Sequence, residues 1–585
     1  MVFYPPTWAS KLPFDPPDTI PICDFILDER YGRLPLDRSL DPYTCGVSGK
    51  SYTAGEQKQR TESLARGLAK ELGWNVNQGT EFDKVAGVFA FNTIDIMTLN
   101  WAIHRLNGIS SPANAAYSAE ELMHQLKDSG AAALFTCLPL LPVALDAASK
   151  AGISKERIYI CELPEQAQGG LKTADEFKTL GQLIKDGSSL PALEPIKWGA
   201  GQGARQTAFL CYSSGTSGLP KGVMISHRNV IANTLQVSTY DKPARDSIRK
   251  DYQDVALGPL PQSHIYALVV ICHCSTYRGD QVVVLPKYDI QQYLNSIATY
   301  KVNSLYLVPP IIIAMAKNRP ILDRFNLSSV RTIFTGAAPL GAEVAHLLQK
   351  QYPKWVIRQG YGLTETCTVV CSTSPHDVWF GSSGSILSGI ECRLVTIGGE
   401  EITAYDQPGE LLVKSPSVVL GYLKNEQATK ETFVEDGQGG RWMRTGDEAV
   451  VKQGPKGHEH IWIVDRIKEL IKVKGLQVAP AELEAHLLTH LAVADCAVIA
   501  TPDEAAGEVP KAYVVKSQSV VLEENDRMVI REIQKHVENN KARHKWLKGG
   551  VEFIDVIPKS PSGKILRRLL RDKDRESRRQ KGAKL

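Results

Sequence analysis

Hydroxyls, glycines and one lysine crowd into a single short run, Ser213-Ser214-Gly215-Thr216-Ser217-Gly218-Leu219-Pro220-Lys221-Gly222, directly behind the apolar stretch Ala208-Phe209-Leu210-Cys211. Glycines let backbone N–H groups turn toward an anion, Ser and Thr hydroxyls add neutral donors, and a lysine supplies a point charge, so the run reads as a cradle for phosphates. It is not a Walker loop, in which the lysine follows a glycine and precedes Ser or Thr; Lys221 follows Pro220 and precedes Gly222. The bland alternative is a Ser/Gly linker. Against it, the run continues through Leu219-Pro220-Lys221-Gly222-Val223 into a strand-to-helix transition at Met224-Ile225-Ser226-His227-Arg228-Asn229.

Four more groups of polar residues follow in order: Pro261-Gln262-Ser263-His264-Ile265-Tyr266, Gln359-Gly360-Tyr361-Gly362-Leu363-Thr364-Glu365-Thr366, Arg444-Thr445-Gly446-Asp447 with Val464-Asp465-Arg466-Ile467-Lys468-Glu469, and Pro561-Ser562-Gly563-Lys564. Singly each has an ordinary reading. Asp447 would cap a turn, Arg466 would make a surface ion pair, and Lys564 would belong to a solvated basic face. The order and spacing make that combination improbable.

The elements that must carry these groups follow from length and pattern. With 585 residues the chain exceeds one hydrophobic core and predicts two to four domains or subdomains, and 43% apolar with 23% charged residues describes a soluble, globular, enzyme-like chain. Val85-Ala86-Gly87-Val88-Phe89-Ala90 reads as a buried strand, Ile94 to Leu106 as a helix, and Ser118-Ala119-Glu120-Glu121 as a capping box opening a helix to Asp128. Strands at 131–136 and 157–161 continue the βαβα rhythm of a parallel sheet, and strands near 281–285, 304–308 and 330–334 make a second α/β unit. Thr335-Gly336-Ala337-Ala338-Pro339 and Arg358-Gln359-Gly360-Tyr361-Gly362 fall where strands end, the usual place for ligands in open α/β sheets. Short strands dominate 386–464. Beyond Asp465 a small α+β module follows: a helix at 479–489, strands at 495–500 and 511–516, a long helix near 524–540 and a strand at 551–554.

Charge excludes some partners. The net charge is +4, but residues 564–585 hold ten Lys/Arg against three Asp/Glu, a net of +7, which leaves −3 for the rest. No basic body suited to nucleic acid exists. Eleven cysteines are scattered without a CxxC pair, which reads as reduced thiols, and Cys272-His273-Cys274 fits zinc poorly. The first residues lack the pattern of a signal peptide, and the most apolar window, Ala131 to Ala148, is broken by Pro139 and Pro142. The expected location is the peroxisome, through Ala583-Lys584-Leu585 and its import receptor, and otherwise the cytoplasm.

Together the five motifs resemble the adenylate-forming superfamily of acyl-CoA synthetases, beetle luciferases and peptide-synthetase adenylation domains, and within it 4-coumarate:CoA ligase and its fungal relatives. The resemblance runs from about residue 50 to 572, and Ile471-Lys472-Val473-Lys474-Gly475-Leu476-Gln477-Val478 with Ala479-Pro480-Ala481-Glu482 belongs to that branch. It implies an α/β fold: an adenylation domain over 1–464, built from two parallel α/β subdomains and a β-rich one; a hinge at 465–468; and a small mobile α+β domain over 469–585. It also implies a carboxylic acid, ATP, Mg²⁺ and CoA as the reacting partners. Two alternatives stay open, loading of a carrier protein and a luciferase-like oxygenation, although Ser263-His264-Ile265-Tyr266 departs from the luciferase segment.

The resemblance also implies site residues. ATP or AMP would meet Ser213, Ser214, Gly215, Thr216, Ser217, Lys221, Ala337, Gln359, Gly360, Thr364, Asp447, Arg466, Lys468, Lys472 and Gln477. Lys564 would bridge the acid and the α-phosphate, Glu365 would hold the metal, Thr364 would donate to phosphate, and His264 would gate the substrate. Lys287, Lys474 and Gly475 fall to CoA. Tyr266, Val270, Phe334, Ala337, Gly362 and Val369 would line the acyl pocket, with Arg331 either meeting a polar substrate tail or facing solvent. Phe334, bulkier than expected for a coumarate enzyme, leaves the acid itself open among aryl, arylpropenoic and medium-chain classes.

Overall fold

A computed structural model describes all residues except 172–175, 214–219, 397, 438, 518–525, 561–562 and 583–585, and the side chains of 580–582. Four sheets organise the described chain. In the first, seven-stranded, Val85–Phe89 is buried throughout and lies parallel between Ile109–Pro112 and Ala133–Thr136. The helix Ile96–Arg105 that joins the first pair is buried along its whole length. The next, Ala119–Ser129, starts on the expected capping box, Ser118 with Glu121, and stops at Gly130 in the left-handed conformation. Thr207–Ser213 extends the parallel set beside Ile109–Pro112 and then pairs antiparallel with Lys221–Ser226. The glycine-rich run therefore closes a hairpin. Ser226 and Asn229 form a capping box for the helix His227–Asp246, which carries the chain away from it.

The second sheet has nine strands, with Val255–Gly258, Ser304–Leu307, Thr332–Thr335 and Val356–Leu363 parallel at its centre. Its buried core runs through Leu257, Leu305, Leu307, Ile312, Ile333 and Ile357. A third sheet of six strands, antiparallel throughout, occupies the region expected to be β-rich, with Arg441–Gln453 pairing along Glu459–Arg466. Between Arg466 and Ile471 the chain leaves this sheet for a five-stranded one, built on the hairpin Ile471–Val473 and Leu476–Val478, the strands Gly507–Lys516 and Val493–Asp503, and Val551–Phe553. The helix Pro480–Leu487 buries Leu483 and Leu487, and Asp526–Asn540 buries Val529, Ile533 and Val537, in a core of their own. At about 1.5–3 kcal/mol for each buried aliphatic side chain, such a core suffices for a separate folding unit.

Three strands escape the sequence pattern because two or three residues cannot show a period. Val2–Phe3 pairs with Glu391–Val395, Tyr43–Cys45 joins the edge of the second sheet, and Gly421–Tyr422 joins the first. No described helix is long and apolar enough to cross a membrane. All eleven cysteines are buried and free.

Candidate active site

The strand Thr207–Ser213 of the first sheet ends beside the turn that follows Val356–Leu363 of the second, where Ser213 meets Glu365. Val356–Leu363 runs out into a single turn, Thr364–Thr366, followed by two residues with positive φ, Cys367 at 53° and Thr368 at 106°. Gly362 permits this reversal, since a Cβ there would lie 1.5 Å from the Thr368 carbonyl oxygen. The turn carries Glu365 to Ser213 and Tyr422. Ser213 Oγ donates to Glu365 Oε1 at 3.1 Å and Tyr422 Oη donates to the same oxygen at 3.0 Å, while Oε2 accepts from no described residue. Lys221 Nζ lies 4.9 Å from the centroid of the Tyr422 ring. Across the sheet, Gln359 Oε1 accepts from the Leu340 amide at 2.8 Å and so pins the turn that holds Gly336 and Ala337. Ala337 sits exposed with φ at 68°, a strained conformation of the sort that collects at functional turns. Gly360 lies directly beneath, where a Cβ would meet Phe334 at 2.6 Å.

A second set of charges faces the first. Asp447 and Arg466 are partners across adjacent strands, with Nε and Oδ1 3.7 Å apart, and Tyr361 Oη donates to Asp447 Oδ2 at 2.6 Å. Burial raises the Asp447 carboxyl, and Arg466 and the Tyr361 hydrogen bond oppose that shift. Lys564 enters from the C-terminal domain. Gly563 packs with its Cβ position 3.3 Å from Val308 and 3.4 Å from Pro310, so a side chain there would press on the large domain. Lys317 Nζ donates to the Val493 carbonyl at 2.7 Å and the Gly341 Cβ position is 3.1 Å from Ala485, completing the seam. Burial, with Arg466 beside it, lowers the Lys564 ammonium to about 8, while Glu365, Asp447 and Glu469 hold it up. One lysine thus feels both halves of the site.

His264 is half-buried with Nδ1 accepting the Tyr266 amide at 3.3 Å; burial first, and Lys564 second, push its imidazole down to about 4. Tyr266 and Val270 belong to a π-helix, Tyr266–His273, a wide turn of the kind frequent at functional sites. The Tyr266 ring stands 6.0 Å from Phe334, and its hydroxyl donates to the Phe334 carbonyl at 2.9 Å. Sequence reasoning missed the third ring, Tyr306, 6.5 Å from Tyr266 and 6.0 Å from Phe334. Arg278 donates to its hydroxyl at 3.1 Å from a buried ion network with Asp241, Asp280, Arg245 and Arg358. Nothing local to Tyr306 in sequence marks it. Val369 backs the same region from the strand Thr368–Ser372, held by the Asn233 side chain.

Other expected residues stand elsewhere. Arg331 precedes the strand Thr332–Thr335 at the end remote from the site and stacks on Tyr252 at 4.8 Å, so it does not line the pocket. Lys287 is exposed and lies over Phe91 at 4.3 Å. Lys472 and Gln477 pair directly across the small-domain hairpin, with Lys474 and Gly475 at its turn, all exposed and with no described contact to Lys564. Lys468 is exposed in the turn after Arg466. Ser214, Gly215, Thr216 and Ser217 lie outside the described residues, as do Pro561, Ser562 and the final tripeptide. Tyr361 and Tyr422 went unassigned in the sequence because their partners are 86 and 57 residues away.

Residues 37–423 match the AMP-binding enzyme model and residues 482–564 match the AMP-binding enzyme C-terminal domain. The chain belongs to the AMP-binding enzymes. Among characterised members, the acyl-CoA ligase cm3C of Cordyceps militaris is 41% identical over 98% of this chain and 90% of that protein, and the acyl-CoA ligase easD of Emericella nidulans is 41% identical over 98% and 100%. The fold matches that of the anthranilate CoA ligase AuaEII in complex with anthranoyl-AMP, with a TM-score of 0.79 and 23% identity over 95% and 97% of the two chains. It also matches ATP-bound MatB from Rhodopseudomonas palustris, with a TM-score of 0.76 and 22% identity over 95% and 99%. In this AMP-binding enzyme the carboxylate of Glu365 suits a hard cation that arrives on ATP: an anionic oxygen that no described residue occupies, and no described cluster of three acidic, His or Cys side chains to form a closed metal cage.

Proposed function

We infer that this chain is an ATP-dependent acyl-CoA ligase. It converts a carboxylic acid to an acyl-adenylate with release of pyrophosphate and then passes the acyl group to the thiol of CoA. The convergence of Lys564 with Glu365, Asp447 and Arg466 at the domain seam carries this reading, because joining a carboxylate to an α-phosphate brings two anions together. Lys564 neutralises both. Ser213, Ser214, Gly215, Thr216, Ser217 and Lys221 cradle the β- and γ-phosphates and Thr364 donates to the α-phosphate. Asp447, oriented by Tyr361, accepts from the ribose hydroxyls beside Arg466, and Gln359, Gly360 and Ala337 bracket the adenine. Mg²⁺ held by Glu365 would supply charge neutralisation on the phosphates. His264, kept neutral, gates the way from Lys564 to the aromatic pocket of Tyr266, Phe334 and Tyr306.

The domains divide as 1–464 and 469–585 about a hinge at 465–468, with Lys468 the pivot. Rotation there withdraws Lys564 and brings Lys472, Gln477, Lys474 and Gly475 toward the adenylate for thioester formation, with Lys287 serving CoA. The exposure of these side chains on a hairpin whose backbone is held by Glu508 and the Ala506 carbonyl supports this use. The acid belongs to the aryl, arylpropenoic or medium-chain class, as the three rings and Val270 make an apolar, aromatic wall. Incubating the purified protein with ATP, Mg²⁺, CoA and a panel of such acids should yield one acyl-CoA series and AMP; adenylate that never reaches CoA would contradict the ligase reading. Delivery to the peroxisome through Ala583-Lys584-Leu585 completes the proposal, supported by the basic stretch before it. An amino-terminal fluorescent fusion should be punctate and turn diffuse when Leu585 is removed; puncta that persist would contradict it.

A further inference from the structure

Gly421–Tyr422 comes from the far side of the sequence to pair with Lys221–Ser226, and nothing in the sheet requires a strand so short at that edge. Its backbone is fastened at three points. Leu420 donates to the Met224 carbonyl at 3.0 Å, Leu423 donates to that of Gly222 at 2.8 Å, and Val419 donates to the carbonyl of Glu365 at 3.1 Å. The segment therefore ties the exit of the phosphate loop to the turn that carries Glu365. Tyr422 sits at its centre, buried, packed on Phe433 at 6.0 Å, with its amide held by Thr429 Oγ1 at 3.0 Å.

The side chain does two separate things. Its hydroxyl donates to Glu365 Oε1, the same oxygen that Ser213 occupies, and leaves Oε2 without a described partner. Its ring face lies under the Lys221 ammonium, which reaches it from the end of the phosphate loop. Both charges are thereby aimed without being neutralised. An unguided Glu365 could fold onto Lys221, and each would then be lost to ATP. A phenol satisfies one oxygen of the carboxylate while its face holds the cation apart.

We propose that Tyr422 is a positioning residue that separates and aims Glu365 and Lys221, so that the metal and the phosphates of ATP meet them already placed. The inference rests on the reading of Glu365 as the metal-holding carboxylate. It assigns the metal side to the hydroxyl and the phosphate side to the ring, and the two can be removed one at a time. Tyr422→Phe keeps the ring and deletes the hydroxyl. Tyr422→Leu deletes both.

The test is nucleotide binding by calorimetry, with ATP in EDTA and with ATP and Mn²⁺, alongside Mn²⁺ paramagnetic resonance, on the full chain and on Glu365→Gln. Tyr422→Phe should weaken Mn²⁺–ATP binding by about tenfold, the lower end of what loss of a partner to a metal-binding carboxylate costs, and leave ATP in EDTA unchanged. Tyr422→Leu should weaken both. Adding Tyr422→Phe to Glu365→Gln should cost nothing further. Matching thermal unfolding of Tyr422→Phe and the parent establishes that the fold is intact. Equal losses with and without Mn²⁺ in Tyr422→Phe, or no loss in either, would overturn the proposal while a metal defect in Glu365→Gln left the reading of Glu365 standing. No metal defect in Glu365→Gln would overturn both.

Discussion

The two sides of the active site are built in opposite ways. On the large-domain side three groups are fixed by partners distant in sequence or across a turn: Glu365 by Ser213 and Tyr422, Asp447 by Tyr361, Gln359 by the Leu340 amide. On the small-domain side Lys564 arrives beside Gly563, pressed against Val308 and Pro310, and the side chains of Lys472 and Gln477 stand in solvent. Fixed groups suit what both half-reactions share, the nucleotide. Groups on the small domain would suit what only one half-reaction needs, because a lysine that held the reacting anions would obstruct the thiol.

The contrast breaks most severely at Lys564. Lys564→Ala should cost about a hundredfold to a thousandfold in pyrophosphate exchange, the range for removing a donor aimed at developing charge; exchange within tenfold of the parent would place the cation elsewhere. Next in size is Lys468→Pro, since proline fixes φ and restricts the preceding residue at the pivot. Thioester formation should fall by about tenfold or more with exchange spared, a split expected of a conformational step. Equal losses would mean that no rotation separates the steps. Smaller is Tyr361→Phe, which leaves Asp447 without its hydroxyl partner and should raise KM for ATP by about tenfold, the worth of a hydrogen bond to a charged group. An unchanged KM would show Asp447 to need no fixing.

Acidity sharpens the same comparison. In the proposed reaction Lys564 acts as an ammonium, and burial has brought it down to about 8, so kcat/KM for ATP in exchange should decline as pH rises through about 8. Profiles flat to pH 10 would place the lysine in water. The smallest effect lies in the core, where the His104 and His227 rings meet edge to face at 4.9 Å and are held neutral by burial, His104 down to about 3. Below an unfolded value near 6.5 the unfolded chain takes protons that the folded chain refuses, so stability is lost as pH falls. At pH 5 that is about 2 kcal/mol for His104. His104→Gln should reduce the slope of melting temperature against pH; an unchanged slope would contradict it.

What the sequence disclosed and what it hid divide along the same line. Ser118 with Glu121, or the glycine-rich run before Lys221, act over a few residues, so composition and spacing reveal them. Glu365 and Lys564 could be named from their motifs. Their company could not: Tyr422, Tyr306 and the Tyr361 hydroxyl act on partners that only the sheets bring near. Arg331 shows the converse, since three residues before Phe334 along a strand is enough to move a side chain to the wrong end of the sheet.

The account turns on one division of labour, and supplying the two half-reactions separately to Lys564→Ala and to Lys472→Ala tests it most directly. Given ATP and acid, Lys564→Ala should fail to make adenylate; given preformed acyl-adenylate and CoA, it should make thioester at nearly the parental rate. Lys472→Ala should show the reverse. If each variant lost both half-reactions alike, the small domain would serve a single fixed site, and the account would be wrong.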